Sequence, residues 1–203
     1  MSLMQVKLSE EENAEFEKPI SEEAIVVTNH EKKIEALVYL SNGLFATGSL
    51  VGELKFWDWH REEGKEGIAE MQLPSRAPVK EMLQITDTAL LVANSDGFIY
   101  AVDVARFLVL CTFNKAHGKS SIATMTKLIV PEVEGDTLFA SAAFDGQVRV
   151  WSFERRGLVA FIQAHNMGIN KVVEMTKTGE LVTAGNDRAL KVFRTDLFNE
   201  SVE

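Results

Sequence analysis

The chain has 203 residues, of which 46% are hydrophobic and 25% charged, a globular composition that excludes disorder throughout its length. Residues 1–31 contribute −6 to the formal net charge of −9, so the remainder, at about −3, has no basic stripe for nucleic acid or an anionic membrane. No window approaches the roughly 18 apolar residues of a membrane helix, and a lone Cys111 excludes an internal disulfide and a cysteine-based metal site.

The first 23 residues are predicted to be an acidic tail. Residues 1–31 contain eight Glu against two Lys, and glutamates stand where a signal peptide would carry an apolar run. We expect residues 1–23 to be a disordered, solubilising extension, with binding of a basic partner as its alternative role. The protein is expected to be soluble and intracellular, in the cytoplasm or the nucleus.

A strand pattern recurs four times along the rest of the chain. Each copy alternates apolar with polar or amphipathic residues and ends near a bulky anchor. The four copies are Leu54–Asp58, Ile99–Asp103, Val148–Ser152 and Leu190–Arg194. Their anchors, at positions 57, 102, 151 and 193, are 45, 49 and 42 residues apart. This spacing is close to the period of roughly 40–45 residues of a four-stranded propeller blade.

The sequence between the anchors is typical of β-strands, with short runs of β-branched and aromatic residues divided by turn signals such as Asp145-Gly146. In the third unit we predict antiparallel strands at Ile122–Ile129, Leu138–Ala143, Gln147–Phe153 and Leu158–Gln163. The sequence therefore predicts an all-β repeat domain over residues 24–198, followed by a tail at 199–203. Its four antiparallel, four-stranded units span about 30–59, 77–104, 117–153 and 165–195.

These units resemble the repeats of the WD40 family, which begin near Gly-His and end near Trp-Asp. The resemblance covers residues 24–198 and implies a β-propeller whose blades each contain a tetrad of His, Ser or Thr, Asp and Trp. The third unit carries the whole tetrad, at His117, Ser141, Asp145 and Trp151. The fourth carries three members, at His165, Thr183 and Asp187, with Phe193 in place of Trp.

The other two units depart further from the tetrad. The first keeps His30, Thr47 and Trp57 but has Val51 where Asp belongs. The second is degenerate, with Val92, Asp96 and Val102 and no histidine. In a full tetrad the Asp accepts from the His, the His reaches the hydroxyl, and the hydroxyl meets the indole N–H. We predict looser blades where Val102 or Phe193 replaces the indole.

The His, hydroxyl and Asp of the third unit also have the residue types of acyl-transfer catalysis. The same set recurs one period later, and no Gly-x-Ser-x-Gly elbow accompanies either copy. This recurrence favours a packing role, so we predict no catalytic residues and no enzyme activity. Histidines far apart in the chain and the lack of a phosphate-binding loop predict no metal site and no cofactor.

Two rings of loop residues are the candidate protein-binding rim, because propeller loops from several blades converge there. The residues before the turn Asp are Leu50, Ser95, Phe144 and Asn186. The residues before the first strand of each unit are Lys33, Pro78, Ser121 and Gly168. We expect Phe144 to be an interface anchor, since an aromatic residue in a tight turn has no obvious core to enter. The alternative is that it covers the channel mouth or a neighbouring blade.

Four units are few, because the resemblance implies about seven, and an open arc leaves strand edges exposed. Ala24–Thr28 has the composition of a strand that completes the last unit, which closes four blades in one chain or eight across a two-fold dimer. The third alternative is a piece of a longer propeller. We expect a fragment or an assembled half rather than a small ring.

The leading functional hypothesis is a non-catalytic WD40-type scaffold that binds protein or peptide partners as a subunit or domain of a larger complex. The second hypothesis is a structural half-propeller that completes itself by dimerisation or by pairing with another chain.

Overall fold

Fifteen β-strands make up the described part of the chain, which is residues 30–58, 67–113, 116–129 and 135–194 of a computed structural model. The strands form four antiparallel sheets, each following the order of the sequence. The first sheet contains β1 (Ile34–Tyr39), β2 (Leu44–Ser49), β3 (Glu53–Asp58) and β4 (Ala69–Gln72). The second contains β5 (Val79–Thr86), β6 (Ala89–Asn94), β7 (Ile99–Asp103) and β8 (Leu108–Phe113).

The two remaining sheets complete the repeat. The third contains β9 (Ile122–Lys127), β10 (Leu138–Ala143), β11 (Gln147–Ser152) and β12 (Gly157–Gln163). The fourth contains β13 (Ile169–Glu174), β14 (Leu181–Gly185) and β15 (Leu190–Phe193). The predicted all-β fold of four antiparallel units is confirmed, with three rather than four strands in the described part of the last unit. The outer strands β4 and β8 lie beyond residues 30–59 and 77–104, the ranges predicted for the first two units.

Middle strands of the second and third sheets are buried along their whole length rather than alternating between buried and exposed residues. Every residue of β6 and β10 is buried, because neighbouring sheets cover both faces of these strands. In the fourth sheet, β14 alternates between buried and half-buried residues. One face of the fourth sheet therefore lacks a covering sheet among the described residues.

Three apolar cores lie between successive sheets, and they hold the repeat together. Leu54 and Phe56 of the first sheet pack with Val79 and Met82 of the second. Equivalent cores join the second sheet to the third and the third to the fourth. Burial of large apolar side chains between the sheets is the main stabilising term, at about 25 cal/mol for each Å² removed from water.

The inner strands of the four sheets curve around a shared axis. β1 packs on β5, β5 on β9 and β9 on β13. The Lys171 Nζ of β13 lies 3.6 Å from a carboxylate oxygen of Glu81 on β5, so a side chain reaches across the concave side past β9. Within residues 30–58 and 169–194, no comparable contact joins β13 back to β1. The described residues form an open arc, and the predicted strand Ala24–Thr28 lies outside them.

Candidate functional site

A chain of hydrogen bonds crosses the third sheet and joins all four predicted tetrad residues. His117 Nδ1 lies 2.9 Å from Asp145 Oδ2, and His117 Nε2 lies 2.8 Å from Ser141 Oγ. The indole Nε1 of Trp151 donates to the same Ser141 oxygen at 2.9 Å. Because a carboxylate only accepts, the imidazole proton is on Nδ1, and the hydroxyl donates to Nε2. Every polar atom of this hydrogen-bonded network therefore has a partner.

The fourth sheet repeats this arrangement without its last donor. His165 Nδ1 lies 2.8 Å from Asp187 Oδ1, and His165 Nε2 lies 2.7 Å from Thr183 Oγ1. Phe193 stands where the third sheet has an indole, so the Thr183 hydroxyl receives no N–H from that strand. The side chain of Phe193 packs instead at the edge of the apolar core shared with the third sheet.

The first sheet contains a full chain, which corrects the view that its acid is missing. Glu53, two residues after Val51, places Oε2 2.6 Å from His30 Nδ1. His30 Nε2 lies 2.6 Å from Thr47 Oγ1, which also accepts the Trp57 indole N–H at 2.8 Å. The acid is supplied from the start of β3 instead of the turn, and the longer Glu side chain spans the difference. The sequence signal for Glu53 is an acidic residue two positions after the place where the repeat expects one.

The second sheet uses a serine where the others use histidine. The Ser75 hydroxyl donates to the Asp96 carboxylate, and the Ser75 N–H donates to the Tyr100 hydroxyl at 3.2 Å. Val92 and Val102 fill the remaining tetrad positions and are fully buried. Ser75 precedes Asp96 by 21 residues, close to the 22 residues that separate His165 from Asp187. This spacing is the signal by which the sequence identifies Ser75.

The tetrads are poorly placed for chemistry on a substrate. Ser141 and Thr183 are fully buried, and so are the side chains of His117 and His165. Burial alone would raise the pKa of Asp145, but hydrogen bonds from His117 and from the Gln147 backbone N–H outweigh it, so this pKa lies below its ordinary value. The Asp145 carboxylate and the Ser141 hydroxyl therefore bond to other residues of their own blade.

The two rings of predicted rim residues are paired by backbone hydrogen bonds within each sheet. In every case the N–H of the turn residue donates to the carbonyl of the residue before the inner strand. The pairs are Leu50 with Lys33 at 2.9 Å, Ser95 with Pro78 at 2.9 Å, Phe144 with Ser121 at 3.0 Å and Asn186 with Gly168 at 2.8 Å. The structure therefore brings both rings together at the same end of all four sheets.

Phe144 is the most prominent apolar side chain of this rim. Its side chain is 51% exposed, and its ring edge lies directly against Gly168 of the next sheet. Any Cβ at position 168 would collide with the ring, so glycine is what allows the aromatic group to lie there. Met167, also exposed, adjoins Gly168 in sequence. Phe144 thus covers part of the neighbouring blade and still presents half of its surface to solvent.

Other candidate chemistry receives little support from the described ranges. No group of three or more His, Cys, Asp and Glu residues there is arranged to hold a metal ion. Within the same ranges, no helix is long and apolar enough to cross a membrane. Cys111 is half-buried on β8, and burial raises the pKa of its thiol, with Arg156 opposing the shift.

Comparison with known proteins identifies the fold. No family model and no curated protein sequence matches the chain. Among solved structures, the WD40 β-propeller domain of Doa1 is similar, with 22% identity and a TM-score of 0.69 over 83% of this chain and 53% of that one. Chaetomium thermophilum Sqt1, bound to the N-terminus of ribosomal protein L10, has 21% identity and a TM-score of 0.71 over 80% of this chain and 43% of Sqt1.

A computationally designed protein, Ika4, is matched over almost its whole length. Its identity is 18% and its TM-score 0.67, over 86% of this chain and 99% of that one. The chain thus spans about half the length of the WD40 domains of Doa1 and Sqt1 that it matches. These likenesses, together with the four sheets, show WD40-type propeller blades, which form an open arc in the described residues.

Proposed function

We propose that this chain is a non-catalytic protein-interaction module that binds a segment of a partner protein on the rim carrying Phe144, as part of a larger complex. The observation that carries the proposal is the position of Phe144 over Gly168, where a large aromatic side chain is held half in solvent by a rigid turn. Ordered, exposed aromatic residues are frequent binding anchors because contact with a partner buries much apolar area at little entropic cost.

Polar groups on the same rim supply the remaining features of a binding surface. Asn186 and Asn170 are exposed on the fourth sheet and bonded to each other at 2.7 Å. Leu50 and Lys33 are exposed at the same end of the first sheet. An apolar anchor bordered by amide and charged groups is the usual composition of a protein-binding surface. The complex of Sqt1 with a ribosomal protein segment supports peptide binding by a protein of this fold.

The absence of catalysis is part of the proposal and rests on repetition. A buried imidazole bonded to a hydroxyl and a carboxylate occurs in three sheets, through His30, His117 and His165. One active site needs one such set, whereas a packing arrangement recurs from blade to blade. We propose a reducing compartment, the cytoplasm or nucleus, on the basis of the single Cys111.

Selection of a random phage-displayed peptide library on the purified chain tests the rim. We expect selected peptides to bind Phe144→Ala at least about tenfold more weakly than the unmodified chain, because the anchor is lost. The matched control is Phe161→Ala, since Phe161 is the same residue type and is even more exposed, on the outer strand β12. It should bind the peptides normally.

Two results would contradict the proposal. One is peptide binding that Phe144→Ala leaves unchanged while its melting temperature is also unchanged. The other is a selection that yields no peptide above background. A second variant, Gly168→Ala, perturbs the same rim without removing Phe144, because a Cβ at position 168 displaces the Phe144 ring. It should weaken the same peptides.

A further inference from the structure

Two apolar side chains of β1 are exposed at positions that are buried in every other sheet. Ile34 is 43% exposed and Leu37 is 67% exposed. The residues at the position of Ile34 in the other sheets are fully buried: Val79, Ile122 and Ile169. Those at the position of Leu37 are at most 7% exposed: Met82, Met125 and Val172. We call the surface of Ile34 and Leu37 the leading face.

The opposite end of the arc shows the complementary exposure. On β15, Leu190 is 70% exposed and Val192 is 55% exposed. The residues equivalent to Leu190 are buried, namely Leu54, Ile99 and Val148. The residues equivalent to Val192 are buried as well, namely Phe56, Ala101 and Val150. We call the surface of Leu190 and Val192 the trailing face.

These two faces are the two halves of one repeated interface. At each junction inside the chain, apolar residues of the inner strand of the later sheet share a core with apolar residues of the third strand of the earlier sheet. At the first junction Val79 and Met82 share a core with Leu54 and Phe56, and Val79 lies directly against Gly48. Ile34 and Leu37 stand at the first two of these positions, and Leu190 and Val192 at the other two. The leading face is therefore built to receive a trailing face.

We propose that the occupant of both faces is a second copy of this chain, placed head to tail. The trailing face of each copy packs on the leading face of the other, so that eight sheets close into one ring around a two-fold axis. A second copy is favoured because each chain carries both halves of the interface, and one partner then covers both apolar faces at once. A head-to-tail contact that closes in this way leaves no open end for further growth.

A polar position repeats across the same junctions and extends the match. The Gln84 side chain accepts the Ser41 N–H at 2.8 Å, and the Glu174 carboxylate accepts the Ile129 N–H at 2.8 Å. In these two pairs the inner strand of the later sheet supplies the acceptor, whereas between the second and third sheets Lys127 Nζ of β9 donates to the Ile85 carbonyl at 2.9 Å. Tyr39 occupies this position in the first sheet and is exposed, so its hydroxyl is the group placed to meet the backbone at Thr176 of a second copy.

The mass of the full chain in solution tests this assembly. We expect light scattering to give twice the chain mass of 22.6 kDa. Leu37→Lys and Val192→Lys should each be monomeric, with a dimer Kd at least about a hundredfold weaker, because each substitution places an unpaired charge in both junctions. Both side chains are exposed within one copy, so the sheets should still fold, as circular dichroism would show. Phe161→Lys, on the outer strand, is the matched control and should remain dimeric.

Mixing the two variants separates the head-to-tail arrangement from its alternatives. In a mixture of Leu37→Lys and Val192→Lys, one junction carries both charges and the other is unmodified, so a heterodimer should form where each variant alone does not. An unmodified chain that is monomeric up to about 100 µM overturns the proposal. So does a Leu37→Lys chain that still dimerises, since the leading face would then lie outside the interface, and so does a mixture that stays monomeric.

Discussion

The carboxylate of Glu53 holds the imidazole of His30, with 2.6 Å between Oε2 and Nδ1. The His30 side chain is almost completely buried, and its other nitrogen reaches Thr47. Glu53 also lies 3.3 Å from the ammonium group of Lys55, whose side chain is buried too. One acidic side chain therefore serves two buried partners in the first blade.

Replacement of Glu53 by alanine should destabilise the protein by about 1–3 kcal/mol, because the His30 N–H is left buried without its acceptor. Urea unfolding followed by tryptophan fluorescence measures the change. The matched control is Glu70→Ala, which removes the exposed partner of the same lysine and should cost under about 0.5 kcal/mol. Adding Val51→Asp to the Glu53→Ala chain should recover part of the loss, since it places an acid where the other blades have one. Equal effects of the two alanine variants would contradict this role of Glu53.

The same substitution in two blades should have unequal effects. Thr47→Val removes a hydroxyl that serves both His30 and the indole of Trp57, whereas Thr183→Val removes one that serves His165 without an indole. We expect Thr47→Val to cost about 1 kcal/mol more, because one additional buried donor loses its acceptor. Denaturant unfolding of the two variants side by side gives the difference. Equal losses for the two variants would show that the indole N–H contributes little here.

Two glycines with the same backbone conformation should tolerate alanine differently. Gly146 has φ +77°, and a Cβ there would collide with the backbone carbonyl of His165. Gly43 has φ +86°, and a Cβ added to it would have no atom within 4 Å. Gly43→Ala should cost about 1 kcal/mol for the left-handed conformation alone, and Gly146→Ala at least about 2 kcal/mol more. Thermal unfolding by calorimetry compares the stabilities of the two variants. Equal costs would mean that the turn at Gly146 shifts to make room for the Cβ.

Acid should remove the stabilisation that Asp145 provides. Its pKa in the folded chain lies below the ordinary value of 3.8, so its contribution is complete above that value and disappears as the pH falls through the folded pKa. The melting temperature of the unmodified chain should exceed that of Asp145→Asn near neutral pH, and the gap should narrow below about pH 4. Scanning calorimetry from about pH 7 to about pH 3 measures the gap. A gap that is constant or widens in acid would contradict the assignment.

Much of the fold could be predicted because its signals are local. Strand alternation, turn dipeptides and a tetrad that recurs every forty or so residues each depend on a few neighbouring positions. The third unit shows this best, since Leu138–Ala143 was predicted with the bounds that β10 has, and the ends of the other strands differ by one or two residues. Glu53 and Ser75 were missed because each replaces the expected residue type, one at a shifted position and one with a different side chain.

The repeat, the all-β blades and the residues that face inward can be deduced from the amino-acid order alone, because they follow from short-range periodicity and from the hydrogen-bonding capacity of each side chain. The folded arrangement is needed to know which acid reaches His30, where the Phe144 ring lies, and which apolar residues stay exposed. Ile34 and Val79 look alike in sequence, and they differ only because one has a neighbouring sheet and the other does not. Burial depends on what stands beside a residue in space, which periodicity along the chain does not encode.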